Sequence, residues 1–239
     1  PQITSALGTK FNYMEANLSA CPLVLGFSRG EGDRSLSDNC YIKIQNQRYS
    51  LIDDDPSIIL IGGRFPMYIN KVLFDNQEGG VEGYKWHYFK TTSSQSFEES
   101  FKNTIEKLTA DGHQIVLTYP IPEVGVDVPQ YIYNLVKSNN KNIKDVKSSF
   151  KPLTTNYDVY IERSKSTFEL FDSFESKNIH RVYPHTVFCN KQINGRCVTH
   201  NEDDVFYADN GHPSGKGSEL IVELIMEKVL VAEQNIRQK

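Results

Sequence analysis

The stretch PSIILIGG, Pro56 to Gly63, decides how the rest of the chain is read. It is a short apolar, β-branched run closed by two glycines. That is the pattern of a strand buried on both faces of a parallel sheet. Working outward, HQIVLTYPIP (113–122) is a second run of the same kind and IHRVYPHTVFC (179–189) reads as a third. Between them SFEESFKNTIEKLTADG (96–112) places Phe97, Phe101, Ile105 and Leu108 at helical spacing. Ser96 and Glu99 form a capping-box pattern and Gly112 marks the end of that helix. VPQYIYNLVKSN, TNYDVYIERSKSTFELFDSFESKN and SGKGSELIVELIMEKVLVAEQ supply further helices, the second with Phe168, Phe171 and Phe174 toward the core. Strands alternating with helices predict an α/β domain with a central parallel sheet covered on both faces, and one such domain spans residues 1–239.

The flanking segments are less regular. PQITSALGTK is expected to be a short helix ending at Gly8, FNYMEAN a strand, and LSACPLVLGFSRGEGDRSLSDNC a polar loop. YIKIQNQRYSLIDD is expected to be helical, and RFPMYINKVLFDNQEGGVEGYKWHYFKTTSS a long irregular stretch. The chain opens on Pro1 without an initiator Met, as a mature chain, an excised domain or a fragment does.

Composition narrows the function. The chain of 239 residues is 38% hydrophobic and 23% charged, ordinary for a globular core, and its net charge of −4 gives no support for nucleic-acid binding. No apolar run reaches the roughly 18 residues of a membrane helix. Cys21 and Cys40, and Cys189 and Cys197, fall as near pairs around short polar loops. Even counts with local spacing suit loop-stapling disulfides of an extracytoplasmic protein. Four free thiols are the alternative, and a zinc site is disfavoured because no C-x-x-C occurs.

Chemistry concentrates in YADNGHPSGKG, residues 207–217. Asp209 lies three residues before His212, just ahead of the last helix. In a Ser-His-Asp arrangement a carboxylate orients the imidazole, whose other nitrogen takes the nucleophile's proton. On spacing alone an ordinary loop, with Asp209 as a turn residue and Ser214 as a helix cap, is an equal reading. His87, His113, His180, His185 and His200 are read as surface or packing residues. A metal-dependent hydrolase built on Asp209, His212 and another histidine finds no H-x-H or H-E-x-x-H spacing to support it.

With SACPLVLG, IILIGGRFPMY, FDNQEGGVEG, IVLTYPIPEVGVDVP, FCNKQINGRC and YADNGHPSGKG in this order, the chain resembles the SGNH (GDSL-type) hydrolases. More narrowly it resembles the SGNH domains fused to membrane acyltransferases in bacterial surface-polysaccharide O-acetylation. The resemblance implies a three-layer α/β/α, flavodoxin-like fold lying outside the cytoplasmic membrane, attached to the inner membrane through a fused domain. It implies an O-acetyltransferase or esterase that needs no cofactor or metal. The acetyl donor would be relayed by a membrane acyltransferase domain of the same or a separate chain. The acceptor would be a glycan such as lipopolysaccharide O-antigen or peptidoglycan. His212 is then the general base and Asp209 its orienting acid. The oxyanion positions fall at Gly63 and Ala20, but the family's Asn is replaced by Arg64, which is equally a donor to the oxyanion or a structural residue. No G-D-S occurs, and PQITSALG resembles the helix after that motif, so the family's first strand and the nucleophilic serine that ends it are expected just upstream of Pro1. Ser5 and Ser19 lack the strand-to-helix setting an activated serine needs. A catalytically inactive glycan-binding module, with Phe65, Tyr68, Tyr84, Trp86, Tyr88 and Phe89 stacking on sugars, is the alternative.

Overall fold

The computed structural model describes residues 2–30, 40–52, 54–82, 88–91, 95–139 and 152–238, with the backbone alone for 88–91 and residue 139. Its centre is a parallel ladder of three strands: β2 (Ile58–Ile61), β4 (Gln114–Thr118) and β6 (Ile179–Val182), in the order β2-β4-β6. Ile58 pairs with Gln114 and Ile61 with Leu117, while Ile115 pairs with Ile179 and Thr118 with Val182.

All five residues of β4 are buried, and alternate side chains enter two separate cores. On one face Ile115 and Leu117 join Ile61, Phe65, Phe101, Leu108 and Phe171. On the other Val116 joins Val128, Ile132, Ile221, Ile225 and Val229. This period-two partition explains why the strand carries no polar alternation: both of its faces are inside. Each such aliphatic or aromatic side chain contributes about 1.5–3 kcal/mol by leaving water.

Helices cover the first face as α3 (Phe65–Asn70), α4 (Phe97–Ala110) and the C-terminal part of α6 (Tyr157–Asp172). The second is covered by α1 (Gln2–Leu7), α5 (Val128–Asn139) and α8 (Gly215–Arg237). The result is the three-layer α/β arrangement expected from the sequence. The α4 capping box is present: Ser96 Oγ accepts from Glu99 N at 3.1 Å and Glu99 Oε2 accepts from Ser96 N at 2.8 Å. Gly112 stands at φ +94°, a conformation that favours glycine, and turns the chain into β4.

The ends of the chain depart from the sequence reading. FNYMEAN forms no strand: Tyr13 and Met14 are 40% and 57% exposed, and among the described residues no strand pairs with them. Alternation without a partner ladder does not make a strand. The polar loop 18–40 contains β1 (Phe27–Gly30), which pairs antiparallel with β3 (Tyr88–Thr91). The irregular stretch 64–94 contains α3, whose Pro66 falls in the first turn where its missing N–H costs nothing. The third strand ends at Val182 and gives way to a short α7 (His185–Phe188). YIKIQNQRYSLIDD is helical as α2 (Ile42–Tyr49). A small antiparallel pair, β5 (Thr154–Asn156) with β7 (Arg196–Val198), flanks the second disulfide.

Both expected disulfides are formed, Cys21–Cys40 and Cys189–Cys197. No helix among the described residues is long and apolar enough to cross a membrane.

Candidate active site

Asp209 and His212 share one tight turn. Tyr207 and Pro213 face each other across an antiparallel bridge, and Ala208 N donates to His212 O at 2.8 Å, so the chain reverses within five residues. Asp209 builds the reversal: its Oδ1 accepts from the N–H groups of Gly211 and His212 at 2.8 and 2.7 Å. Its other oxygen, Oδ2, lies 2.7 Å from His212 Nδ1. With a carboxylate at that distance, Nδ1 carries the proton and Nε2 is left as the acceptor. The His212 side chain is 68% exposed, and among the described residues nothing is bonded to its Nε2. Burial pushes the Asp209 carboxyl up, but the two N–H donors and the imidazole outweigh it and hold it below the usual range.

The turn is anchored on both sides. Ser214 caps α8, its Oγ accepting from Gly217 N at 3.2 Å and donating to Val205 O at 2.5 Å. Gly217 is packed directly on the Phe206 carbonyl. Val124 N and Gly125 N, in the loop after β4, donate to Asn210 O at 3.0 and 3.3 Å. The Tyr207 hydroxyl donates to Pro122 O at 2.8 Å. Gly125 in turn lies against Gly80, and Asn76 Nδ2 donates to Val124 O at 2.9 Å. Three loops, 74–82, 122–128 and 207–213, are therefore joined beyond the C-terminal end of β4, where open α/β sheets place their sites.

Arg64, directly after the strand-ending Gly62-Gly63, reaches into this junction. Its Nη1 and Nη2 donate to Glu82 Oε1 and Oε2 at 2.7 and 2.9 Å, and Nη2 also to Glu123 Oε1. Glu123 Oε2 accepts from Arg163 Nε at 2.8 Å. The Glu82, Glu123 and Arg163 side chains are 3%, 6% and 7% exposed. Ala20, the other expected oxyanion position, has φ +48°, the left-handed conformation normally given to glycine. Its turn is held by Arg48, which donates to Ala16 O and Cys21 O at 2.9 and 3.0 Å.

Other residues singled out in the sequence lie elsewhere. Phe65 and Tyr68 are buried in the first core, at 0% and 3% exposure, and present no face to a sugar. Tyr84, Trp86 and His87, and the side chains of Tyr88 and Phe89, lie outside the described residues. His113 and His200 are buried, each accepting a backbone N–H through its ring. Among the described residues no group of His, Cys, Asp or Glu is arranged to hold a metal ion. Glu82, Glu123 and Arg163 escaped the sequence reading, because single charges scattered over a hundred residues carry no spacing signal. Gln2 was missed as well: a Cβ at Gly215 would stand 3.3 Å from its Nε2, so α1 begins beside the start of α8, three residues past His212.

The fold and this turn place an acid–imidazole pair at the C-terminal edge of a parallel sheet in an α/β domain. The chain belongs to the family of SGNH domains fused to AT3 domains, whose family model matches residues 2–227. No curated protein matches the chain. Among solved structures, the periplasmic domain of the lipopolysaccharide acetyltransferase of Salmonella ser. Paratyphi A is similar at 17% identity and a TM-score of 0.49, covering 87% of this chain and 68% of that one.

Proposed function

We propose that this domain transfers an acyl group, acetyl in the first instance, to or from a hydroxyl of a bacterial surface glycan through a Ser-His-Asp mechanism. Family membership and the 2.7 Å contact between Asp209 Oδ2 and His212 Nδ1 support the reading, and the second observation carries it. The serine is supplied by the segment that enters α1, since Gln2 abuts Gly215 at the mouth of the His212 turn.

In the proposed cycle His212 Nε2 takes the serine proton as Oγ attacks the acyl carbonyl carbon. Asp209 stabilises the imidazolium, and the imidazolium returns that proton to the leaving oxygen when the tetrahedral intermediate collapses. The acyl-serine then reacts with a glycan hydroxyl, whose proton passes to His212 Nε2 and back to the serine; water in place of the glycan gives hydrolysis. Backbone N–H groups at Gly63 and Ala20 are the proposed oxyanion donors, the left-handed Ala20 turn being held rigidly enough to keep one aimed. The acyl donor reaches the site from the fused AT3 domain. Two disulfides support an extracytoplasmic location for the domain.

A fluorophosphonate probe applied to the full-length protein, followed by peptide mapping, tests the assignment. The label is expected on a serine immediately before α1 and is lost in His212→Ala. Labelling at Ser5 or Ser19, or labelling and turnover untouched by His212→Ala, would remove the mechanism.

A further inference from the structure

The quartet Arg64, Glu82, Glu123 and Arg163 is the most heavily buried cluster of opposite charges in the site, and no step above uses it. A Cβ placed on Gly211 would stand 3.6 Å from Arg64 Cζ, 3.7 Å from Nε and 3.9 Å from Nη1. Those near-equal distances put the flat face of the guanidinium beneath the backbone between Asp209 and His212. The outer edge of the same guanidinium is committed to carboxylates: Nη1 and Nη2 fork onto Glu82 and Nη2 also bonds Glu123, while Nε is buried and, among the described residues, without a partner.

The four members come from four different elements around the junction. Arg64 is the N-cap of α3 after β2, and Glu82 closes the 74–82 loop, its N–H donating to Phe74 O. Glu123 immediately precedes Val124 and Gly125, whose N–H groups hold Asn210 O. Arg163 belongs to α6 and also donates to Val72 O at 2.9 Å. Two arginines against two carboxylates sum to zero, so the quartet projects little net field toward a developing oxyanion. Its charges do fix geometry, because a bidentate arginine fork tolerates few orientations.

We propose that Arg64, clamped by Glu82 and Glu123, is a positioning residue: it supports the Asp209–His212 turn from below, sets the height of the imidazole over the sheet edge, and does not itself bond the oxyanion. This rests on the proposed role of His212 but not on the identity of the acceptor.

Freeing the guanidinium separates the two roles. Glu123→Gln removes one carboxylate and leaves Arg64 more available. A direct oxyanion donor would then keep or gain activity, whereas a support would lose it. In the full-length protein, Glu123→Gln and Arg64→Lys are each expected to lower kcat about 10- to 100-fold, the scale on which small misplacements act. KM for an activated acetyl ester should move less than about twofold. A second readout needs no turnover: nitrogen-15 NMR of His212 reports its tautomer and titration. Both variants are expected to reduce the Nδ1-protonated population, and Glu82→Asp, which keeps the charge, should restore more of it than Glu82→Gln. Glu123→Gln at or above native kcat would overturn the proposal. So would an unchanged His212 NMR signature in variants that have merely lost thermal stability. If native protein shows no turnover while the NMR shifts occur, the acyl-transfer reading fails and the positioning role stands.

Discussion

Replacing Gly217 by alanine tests whether the last helix and the Phe206 segment are in direct backbone contact. By intrinsic propensity alone the change should stabilise α8, by about 1 kcal/mol. The structure reverses the sign. A Cβ at this position would stand 3.0 Å from the Phe206 carbonyl carbon, 3.3 Å from its Cα, and closer still to its oxygen. Carbon atoms rest about 3.5–4.0 Å apart, so the helix must back away by at least about half an ångström. The clash is with backbone and no rotamer relieves it. Overpacking of this kind costs about 1–3 kcal/mol. Retreat of the helix also strains the bond from Ser214 N to Phe206 O, 2.8 Å long, at a further cost of about 1 kcal/mol if it breaks. After subtracting the propensity gain the net loss is about 2 kcal/mol, or about 4–8 °C in Tm for a chain of this length. Gly215→Ala is the control, because its Cβ meets only the flexible end of Gln2. Thermal and urea unfolding of both variants measure the effect. A Gly217→Ala protein as stable as the native one, or more so, would refute the packing argument.

Asp209→Asn should lower kcat of the full-length protein by at least about 10²-fold, because the amide can no longer hold the Nδ1-protonated tautomer or stabilise imidazolium; a loss under tenfold would take the carboxylate out of the mechanism. Cys21→Ala/Cys40→Ala should cost about 3 kcal/mol by loop entropy and Cys189→Ala/Cys197→Ala about 2.5 kcal/mol, since the first pair closes 19 residues and the second 8. Urea titration gives the order, and equal losses above 5 kcal/mol would show that strain or packing governs instead. Burial raises the phenols of Tyr160 and Tyr207 above 10.0, and burial, opposed by Arg29, Arg64 and Arg48, pushes Tyr68 up to about 12. The folded protein then holds these protons longer than the unfolded chain. Stability is complete below about pH 10 and falls above it by about 1.4 kcal/mol per pH unit for each phenol that stays protonated. A flat stability curve between pH 10 and 11.5 would contradict the burial of these hydroxyls.

The central strands and the α4 cap could be read from residues because their causes are local. Ile58–Ile61 and the run 115–117 are apolar on both faces, and Ser96 and Glu99 lie within one turn of each other. Asp209 and His212 were visible as a motif for the same reason, although only the fold shows that one carboxylate both shapes the turn and meets the ring. β1 and β3 were not legible: FSRG has no strand pattern of its own, and its partner lies some sixty residues further along the chain. α3 was hidden by its proline and its brevity. The partners of Arg64 are carboxylates 18 and 59 residues away, which no spacing rule connects.

The double use of Asp209 bears on how such a site can change over generations. Its Oδ1 holds the backbone of residues 211 and 212 while Oδ2 holds the imidazole. Geometry and chemistry are written in the same four codons, so any recombination that carries the acid carries the base already aligned with it. In the proposed mechanism the nucleophile comes from another part of the chain and has no such linkage, so a change at the serine leaves the Asp-His turn untouched as long as the turn keeps its length.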